Sequence, residues 1–299
     1  MKNSKIILPN QKQGGGIEDT ERAQARARED SEFQPVIIKR SDETLRHPDD
    51  TIELAIEEGL EQLNRPFFSL ILSSMAAGLI LGFTAMAVGV VTHILAPTQL
   101  HVLTRLATAV VYPLGFVICI VSGTQLFTEH TATSVYPVLD SRASIFKLLR
   151  LWITVLGGNL AGALISGLLL SRSDQIIQAR TGYLEIAEHL VNYPPISLVL
   201  SAVLAGWLMA QGAWLVLAAR STSSQILCIY IVTFLIGLGG LHHSIAGSVE
   251  IITAYFISDT FVLTHVLRFI AWAVIGNLIG GAIFVALLNY SHIKQTQFQ

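Results

Sequence analysis

The chain has 299 residues, of which 52% are hydrophobic and only 13% are charged, and its formal net charge is −2 at pH 7. Soluble domains carry about 25% charged residues, so this composition indicates a membrane protein. The charges are uneven, because 24 of the 40 acidic and basic residues lie in the first 65 positions. No nucleotide-binding loop, serine-hydrolase motif or basic nucleic-acid patch is present, so we expect neither an enzyme nor a nucleic-acid partner.

Residues 1–50 form a polar tail. It contains three consecutive glycines, charges of both signs and few large apolar residues, which is typical of disorder. It lacks the apolar core region of a cleavable signal sequence. We therefore expect a disordered cytoplasmic tail that stays on the protein.

A short amphipathic helix is predicted over residues 51–64. Ile52, Ile56, Leu60 and Leu63 fall on one helical face, and glutamates occupy the others. Helices that lie on a lipid surface are usually basic, whereas this one is acidic. The pattern favours a cap that packs against the cytoplasmic mouth or a neighbouring subunit over a free surface helix.

The membrane domain is predicted over residues 65–293, followed by a cytoplasmic C-terminus at 294–299. Six stretches without Asp, Glu, Lys or Arg are each at least 21 residues long, and about 20 residues cross a bilayer. The six stretches run from Pro66 to Thr104, Leu106 to Thr128, Leu151 to Ser171, His189 to Ala219, Ser221 to Val249 and Phe269 to Ile293.

Two segments repeat each other inside these stretches. Gly158-Asn159-Leu160-Ala161-Gly162 is followed 118 residues later by Gly276-Asn277-Leu278-Ile279-Gly280. Each follows an apolar run that is interrupted by polar residues. Because three spans per copy is an odd number, the second copy enters the membrane inverted, and such carriers bind substrate where their interrupted helices meet.

Basic residues in the connections set the orientation. With the amino terminus inside, fifteen Lys and Arg residues lie on the cytoplasmic side and four lie outside. We therefore expect both termini to be cytoplasmic, in a bacterial inner membrane.

Ionisable residues held within the membrane are the candidates for function. They persist mainly where they face a cavity or a partner. His243 is the sharpest candidate, because an imidazole can hydrogen-bond an anion and exchange a proton near neutral pH, and Thr128 of the opposite repeat could reach the same point. A plain alternative is that His243 satisfies a backbone carbonyl at the helix break. The full set of candidates is Glu129, His130, His242, His243 and Glu250.

These motifs resemble those of the formate/nitrite transporter family. The resemblance is carried by Leu126-Phe127-Thr128, the two glycine-asparagine repeats and His243-Ser244-Ile245-Ala246. It implies a homopentamer of all-α, aquaporin-like protomers, each with six transmembrane helices in two inverted three-helix repeats and with broken second and fifth helices. It implies one pore per protomer for small monovalent anions, and no cofactor.

The resemblance also assigns roles to individual residues. His243 matches the central pore histidine, and Thr128 matches the threonine of the second-span loop. Asn159 and Asn277 match paired asparagines that brace the broken helices. Two roles are equally open for them: tying the helices together, or contacting the substrate directly. The constriction positions are Leu126, Phe127 and Ile236, and the basic position of the cytoplasmic vestibule is Arg150.

Several positions depart from the family pattern. His242 stands where the family usually has Glu or Asn, and Gly247 stands where Asn is frequent. Glu129 and His130 replace small polar residues, and Gly206 replaces an Asn of formate channels. These changes alter charge and proton access near the breaks, so they bear on the choice of anion.

The mechanism implied is passage of a weak-acid anion, such as formate or nitrite, with proton coupling through His243. A bare anion in an apolar pore faces a large desolvation cost, which protonation of the substrate would remove.

One alternative is a metal-binding membrane protein, in which Glu129, His130, His242 and His243 are the ligands. Another is a water- or glycerol-like channel, although the Asn-Pro-Ala signature is absent.

Overall fold

The computed structural model describes residues 45–297, and this part of the chain is helical, with six helices long and apolar enough to cross a membrane. The predicted tail over residues 1–44 lies outside the described residues. The six spans run over Phe67–Thr98, His101–Val121, Ile145–Arg172, Pro195–Ala218, Thr222–Gly239 and Leu263–Gln295. The predicted six-span architecture is therefore confirmed.

The individual helices are numbered in chain order. The first half contains α1 (Pro48–Asn64), α2 (Phe67–Ile80), α3 (Gly82–Leu95), α4 (His101–Val111), α5 (Pro113–Val121), α6 (Phe127–His130), α7 (Tyr136–Leu139) and α8 (Ile145–Arg172). The second half contains α9 (Asp174–Ile177), α10 (Arg180–Val191), α11 (Pro195–Ala218), α12 (Thr222–Gly239), α13 (Ser244–Ile257), α14 (Leu263–Gly281) and, after a π-helical segment at Ala282–Leu287, α15 (Leu288–Gln297).

Helix α1 is the predicted amphipathic helix, and it begins three residues before the predicted start. Pro48 occupies its first turn, where a missing N–H costs nothing, and the side chain of His47 accepts a hydrogen bond from the Asp49 backbone N–H. Ile52 and Ile56 are fully buried against the bundle. The helix therefore packs on the membrane domain through its apolar face.

The two repeats pack in the same way. Helix α2 lies against α8 in the first repeat, and α11 lies against α14 in the second. A Cβ on Gly162 would come within 2.2 Å of the Met75 carbonyl oxygen, and a Cβ on Gly280 would come within 2.2 Å of the Val203 carbonyl oxygen. Equivalent glycines therefore allow the same close helix contact in both repeats, which suits packing in lipid.

The second and fifth spans are broken, as predicted. The second span stops at Val121 and resumes at α6, and the fifth stops at Gly239 and resumes at α13. Gly123 and Gly240 adopt positive φ angles of 68° and 59° at the two breaks, a conformation that is easy only for glycine.

Both described ends of the chain lie at the same end of the bundle. Helix α15 contacts α1, and Lys294 pairs with Glu53 at 3.3 Å. We call this the terminal side of the molecule and the opposite end the far side. Helix α8 starts at the terminal side, where Lys147 donates to Asn64, so the connection that follows it, including α10, lies on the far side.

Candidate pore site

Asn159 braces the first break with all of its hydrogen-bonding groups. Its Oδ1 accepts from the Phe127 backbone N–H at 2.8 Å. Its Nδ2 donates to the carbonyls of Ser74 and Gln125 at 2.7 and 2.8 Å. One buried amide therefore pairs two backbone groups at the break, which would otherwise be left unpaired in the membrane, and ties them to α2 through the Ser74 carbonyl.

Asn277 repeats this arrangement at the second break. Its Oδ1 accepts from the Ser244 backbone N–H at 2.8 Å, and its Nδ2 donates to the carbonyls of Ala202 and His242 at 2.7 and 3.0 Å. Both Nδ2 hydrogens of each asparagine are therefore used by backbone. Of the two roles that the sequence left open, this geometry favours tying the helices together.

The two breaks meet at Thr128 and His243. The Thr128 Oγ1 and His243 Nε2 atoms are 3.0 Å apart, although the residues are 115 positions apart in sequence. Both side chains are buried, and the ring of Phe116 packs edge-on against the imidazole with centroids 5.0 Å apart. The structure thus brings together the two residues that the sequence paired at the centre of the pore.

The other imidazole nitrogen of His243 caps helix α13. Nδ1 accepts from the backbone N–H groups of Ile245 and Ala246, each at 3.2 Å. A nitrogen that accepts hydrogen bonds carries no proton, so this geometry assigns the hydrogen of the neutral ring to Nε2. His243 can therefore donate one hydrogen bond from Nε2, to Thr128 or to a substrate.

His242 lies beside the break, not at the contact between the breaks. Its Nδ1 is 2.8 Å from Ser201 Oγ, and its ring stacks on His189 with centroids 5.6 Å apart. His242 is one of the residues predicted to line the pore. Its contacts are with α10 and α11, and its buried Nε2 has no hydrogen-bond partner among the described residues.

A cavity of about 290 Å³ reaches His243 from the far side. Helices α3, α4, α10, α12 and α13 supply its walls, and Ile236, one of the predicted constriction residues, lines it. The polar and ionisable lining residues are Thr92, His101, Thr104, Arg105, Thr108, Tyr112, Glu185, His189, His243 and Glu250. We call it the far-side cavity.

A second cavity of about 300 Å³ lies at the terminal side, beneath α1. Gln125 and His130 line it, and the buried Gln125 Oε1 and His130 Nε2 atoms have no hydrogen-bond partner among the described residues. The other charged lining residues are Glu58, Glu61, Arg65 and Glu129. Burial and the neighbouring Glu61 raise the pKa of the Glu58 carboxyl. We call this the terminal-side cavity.

Two apolar side chains follow the terminal-side cavity along the chain. Leu126 and Phe127 are buried, and they lie in sequence between Gln125, which lines the terminal-side cavity, and Thr128, which contacts His243. These two side chains have no polar atom that could hydrogen-bond to a passing solute. Their position suits the constriction that the sequence assigned to them.

Arg150 lies away from the cavity lining. Its Nη2 donates to the carbonyls of Leu63 and Arg65 at 3.0 and 3.1 Å, so it caps the C-terminal end of α1. Arg65 itself lines the terminal-side cavity. The sequence analysis did not select Arg65 as a site residue. It lies between α1 and the first span, so it was used only as one of the basic residues that set the orientation.

The four proposed metal ligands are divided between the two sides. Glu129 and His130 line the terminal-side cavity, whereas His243 lines the far-side cavity. Within residues 45–297, no group of three or more His, Cys, Asp or Glu side chains could hold a metal ion. The described part of the chain therefore gives the metal alternative no support.

Two inverted repeats, paired helix breaks and cavities on both sides of a central contact define a membrane channel or transporter. The profile of the formate/nitrite transporter family matches residues 49–291. The chain belongs to this family, and so it is a transport protein and not an enzyme.

Known proteins place the chain in the same family. It is 30% identical over 242 residues to the inner membrane protein YfdC of Escherichia coli K12, covering 80% of this chain and 76% of that one. It is 27% identical over 206 residues to the formate channel FocA of the same strain, covering 61% and 72%. A solved pentameric formate channel with formate bound has the same fold, with a TM-score of 0.67, 20% identity and coverage of 77% and 98%.

Proposed function

We propose that the protein conducts small monovalent anions of weak acids, of the formate and nitrite class, through one pore in each chain. The observation that carries this proposal is the buried contact between Thr128 and His243, which lies where the breaks of two inverted repeats meet. Such meeting points are where inverted-repeat transporters hold their substrates. FocA, at 27% identity, is a formate channel.

The substrate crosses the apolar part of the pore as the neutral acid, together with its proton. Leu126, Phe127 and Ile236 are buried apolar side chains, and a bare anion among them would lose its hydration without a compensating charge. A protonated weak acid avoids that cost. The Nε2 hydrogen of His243 supplies the hydrogen bond that selects small oxygen-bearing solutes.

Proton exchange by His243 itself would require a second proton on its ring. That proton would have to sit on Nδ1, which accepts from the Ile245 and Ala246 backbone N–H groups. The capping geometry therefore supports a role for His243 as a neutral hydrogen-bond donor. The proton coupling that we propose then needs another titratable group near the pore.

The protein assembles as a homopentamer in the bacterial inner membrane with both termini cytoplasmic. One relative is an inner membrane protein, and a solved channel of the same fold is pentameric. Large apolar side chains on the outer surface, among them Phe68, Phe146 and Ile153, are exposed and available to lipid or to neighbouring protomers. Native mass measurement in mild detergent tests this assembly, and a monodisperse monomer would overturn it.

Flux into proteoliposomes tests the transport activity. Formate, nitrite, lactate, hydrosulfide and chloride are offered at two external pH values, with protein-free liposomes as the control. We expect uptake of formate or nitrite above the control and no uptake of chloride, because chloride does not form a neutral acid in water. Chloride uptake equal to that of the weak acids would overturn the neutral-acid pathway.

A further inference from the structure

Glu250 lies in the far-side cavity together with His243. It follows His243 by seven residues on helix α13, which is two helical turns or about 10 Å along the axis. Gly247 lies between them and also lines the cavity. The three residues share one helix face, and the ring of Phe269 packs so closely on Gly247 that a Cβ there would come within 2.3 Å of it.

The Glu250 carboxyl has no hydrogen bond or ion pair with any described residue, yet the residue is only 5% exposed. Carboxyls buried in a membrane domain are costly and persist mainly where they face a cavity or serve a function. The lack of a protein partner therefore points to a ligand or a proton as the partner of this group.

The groups around Glu250 leave it accessible for proton exchange. Tyr112, at the junction of α4 and α5, interacts electrostatically with it, and α3 contributes only the uncharged Val88 and Thr92 to the lining. The Arg105 Nε donates to the Leu238 carbonyl at 2.6 Å. The remaining titratable lining residues are His101 on α4 and Glu185 and His189 on α10, and the packed helices α8 and α14 contribute none.

We propose that Glu250 is the group that protonates the substrate anion in the far-side cavity. This inference rests on the transport of weak acids proposed above. The Glu250 carboxylic acid gives its proton to an oxygen of the anion, which leaves a carboxylate on Glu250 and a neutral acid in the cavity. The neutral acid accepts the hydrogen bond of His243 and passes Leu126 and Phe127, and water in the cavity returns a proton to Glu250.

A permanently charged Glu250 would do the opposite. A fixed carboxylate in a small cavity repels anions, so removing it would accelerate anion entry. The two roles therefore predict changes of opposite sign when the carboxyl is replaced by an amide.

Formate uptake into proteoliposomes distinguishes them, with an internal pH dye reporting the accompanying proton. Wild type is compared with Glu250→Gln, at a formate concentration below saturation and over a series of external pH values. Glu188→Gln is the matched control, because Glu188 is an exposed carboxyl on α10 that does not line the cavity.

We expect wild-type uptake to rise as the external pH falls and to level off once Glu250 is mostly protonated. Glu250→Gln should be slower by about tenfold or more at neutral pH, the scale of a lost proton-transfer group, and its uptake should follow proton concentration without levelling off. Glu188→Gln should behave as wild type. If Glu250→Gln does not reconstitute, Glu250→Asp should retain the levelling-off and Glu250→Met should lose it.

Uptake by Glu250→Gln that equals or exceeds wild type, with the same pH profile, would overturn this inference and leave the proposed function standing. A wild-type protein that moves none of the weak acids would overturn the proposed function and this inference with it.

Discussion

The two helix breaks share one scaffold and differ in what they present to the pore. Asn159 and Asn277 hold the residues on either side of each break through the same three hydrogen bonds. The residue that precedes the braced N–H is Leu126 in the first repeat and His243 in the second. The two repeats therefore share the support of the breaks, while at this position only the second break presents a hydrogen-bonding side chain.

The two cavities extend this difference. The far-side cavity reaches His243 directly and contains the unpaired Glu250, whereas the terminal-side cavity is lined by Gln125, which the buried Leu126 and Phe127 follow in the chain, and not by His243. A solute that enters from the far side meets the polar centre before the apolar constriction. A solute that enters from the terminal side meets them in the reverse order.

The largest expected effect comes from breaking the shared scaffold. Asn159→Ala and Asn277→Ala each leave one backbone N–H and two carbonyls without their partner in a buried site, at a cost of about 3 kcal/mol or more. If the braces are equivalent, both variants should lose folded protein to the same extent. Thermal melting of the detergent-solubilised protein measures this loss, and a large difference between the two variants would contradict the equivalence.

The second prediction tests the asymmetry of the breaks. His243→Asn should keep the cap of α13, because Asn is a good N-cap residue, but it cannot reach Thr128. Flux should fall about tenfold, the value of one hydrogen bond of about 1.5 kcal/mol to the substrate. We expect the pH profile to survive if Glu250 exchanges the proton.

His242→Asn is the matched control for this substitution, since His242 contacts Ser201 and His189 outside the central contact. It should reduce flux less than His243→Asn. A reversed order of severity would place the functional histidine at His242. A loss of the pH profile in His243→Asn would restore His243 as the proton-exchanging group.

Much of this architecture could be predicted from the sequence. In lipid, the backbone of uncharged stretches of 21 residues or more can be satisfied only by helices, and the resemblance to the transporter family identified Asn159 and Asn277 as the braces. The contact between Thr128 and His243 was expected because each lies at the break of an opposite repeat. In these cases one local pattern determines the environment of the residue.

The features that the sequence did not predict depend on contacts between segments that are distant in the chain. The fourth uncharged stretch begins at His189, but the structure places His189 in the separate helix α10, because a charge-free run does not mark where a helix ends. The resemblance assigned Arg150 to the vestibule, and nothing in the sequence indicated that Arg150 also caps α1 through the Leu63 and Arg65 carbonyls. The packing of α1 over the terminal-side cavity, which produces both the capping contact and the cavity, has no signature in the sequence near Arg150.

The smallest expected effect concerns the acidic wall of the terminal-side cavity. Folding raises the pKa of Glu58, through burial and the nearby Glu61, so the folded state binds its proton more readily than the unfolded state does. Stability should therefore decrease as the pH rises from the ordinary carboxyl range through the raised pKa.

Glu58→Gln removes this dependence and should raise the melting temperature near neutral pH by about one degree. Glu57→Gln is the control, because Glu57 is exposed on the same helix, as Glu58 is, but does not line the cavity. Melting curves of both variants at mildly acidic and neutral pH test this prediction. An equal shift in melting temperature for both variants would mean that general surface charge, and not the cavity, causes the change in stability.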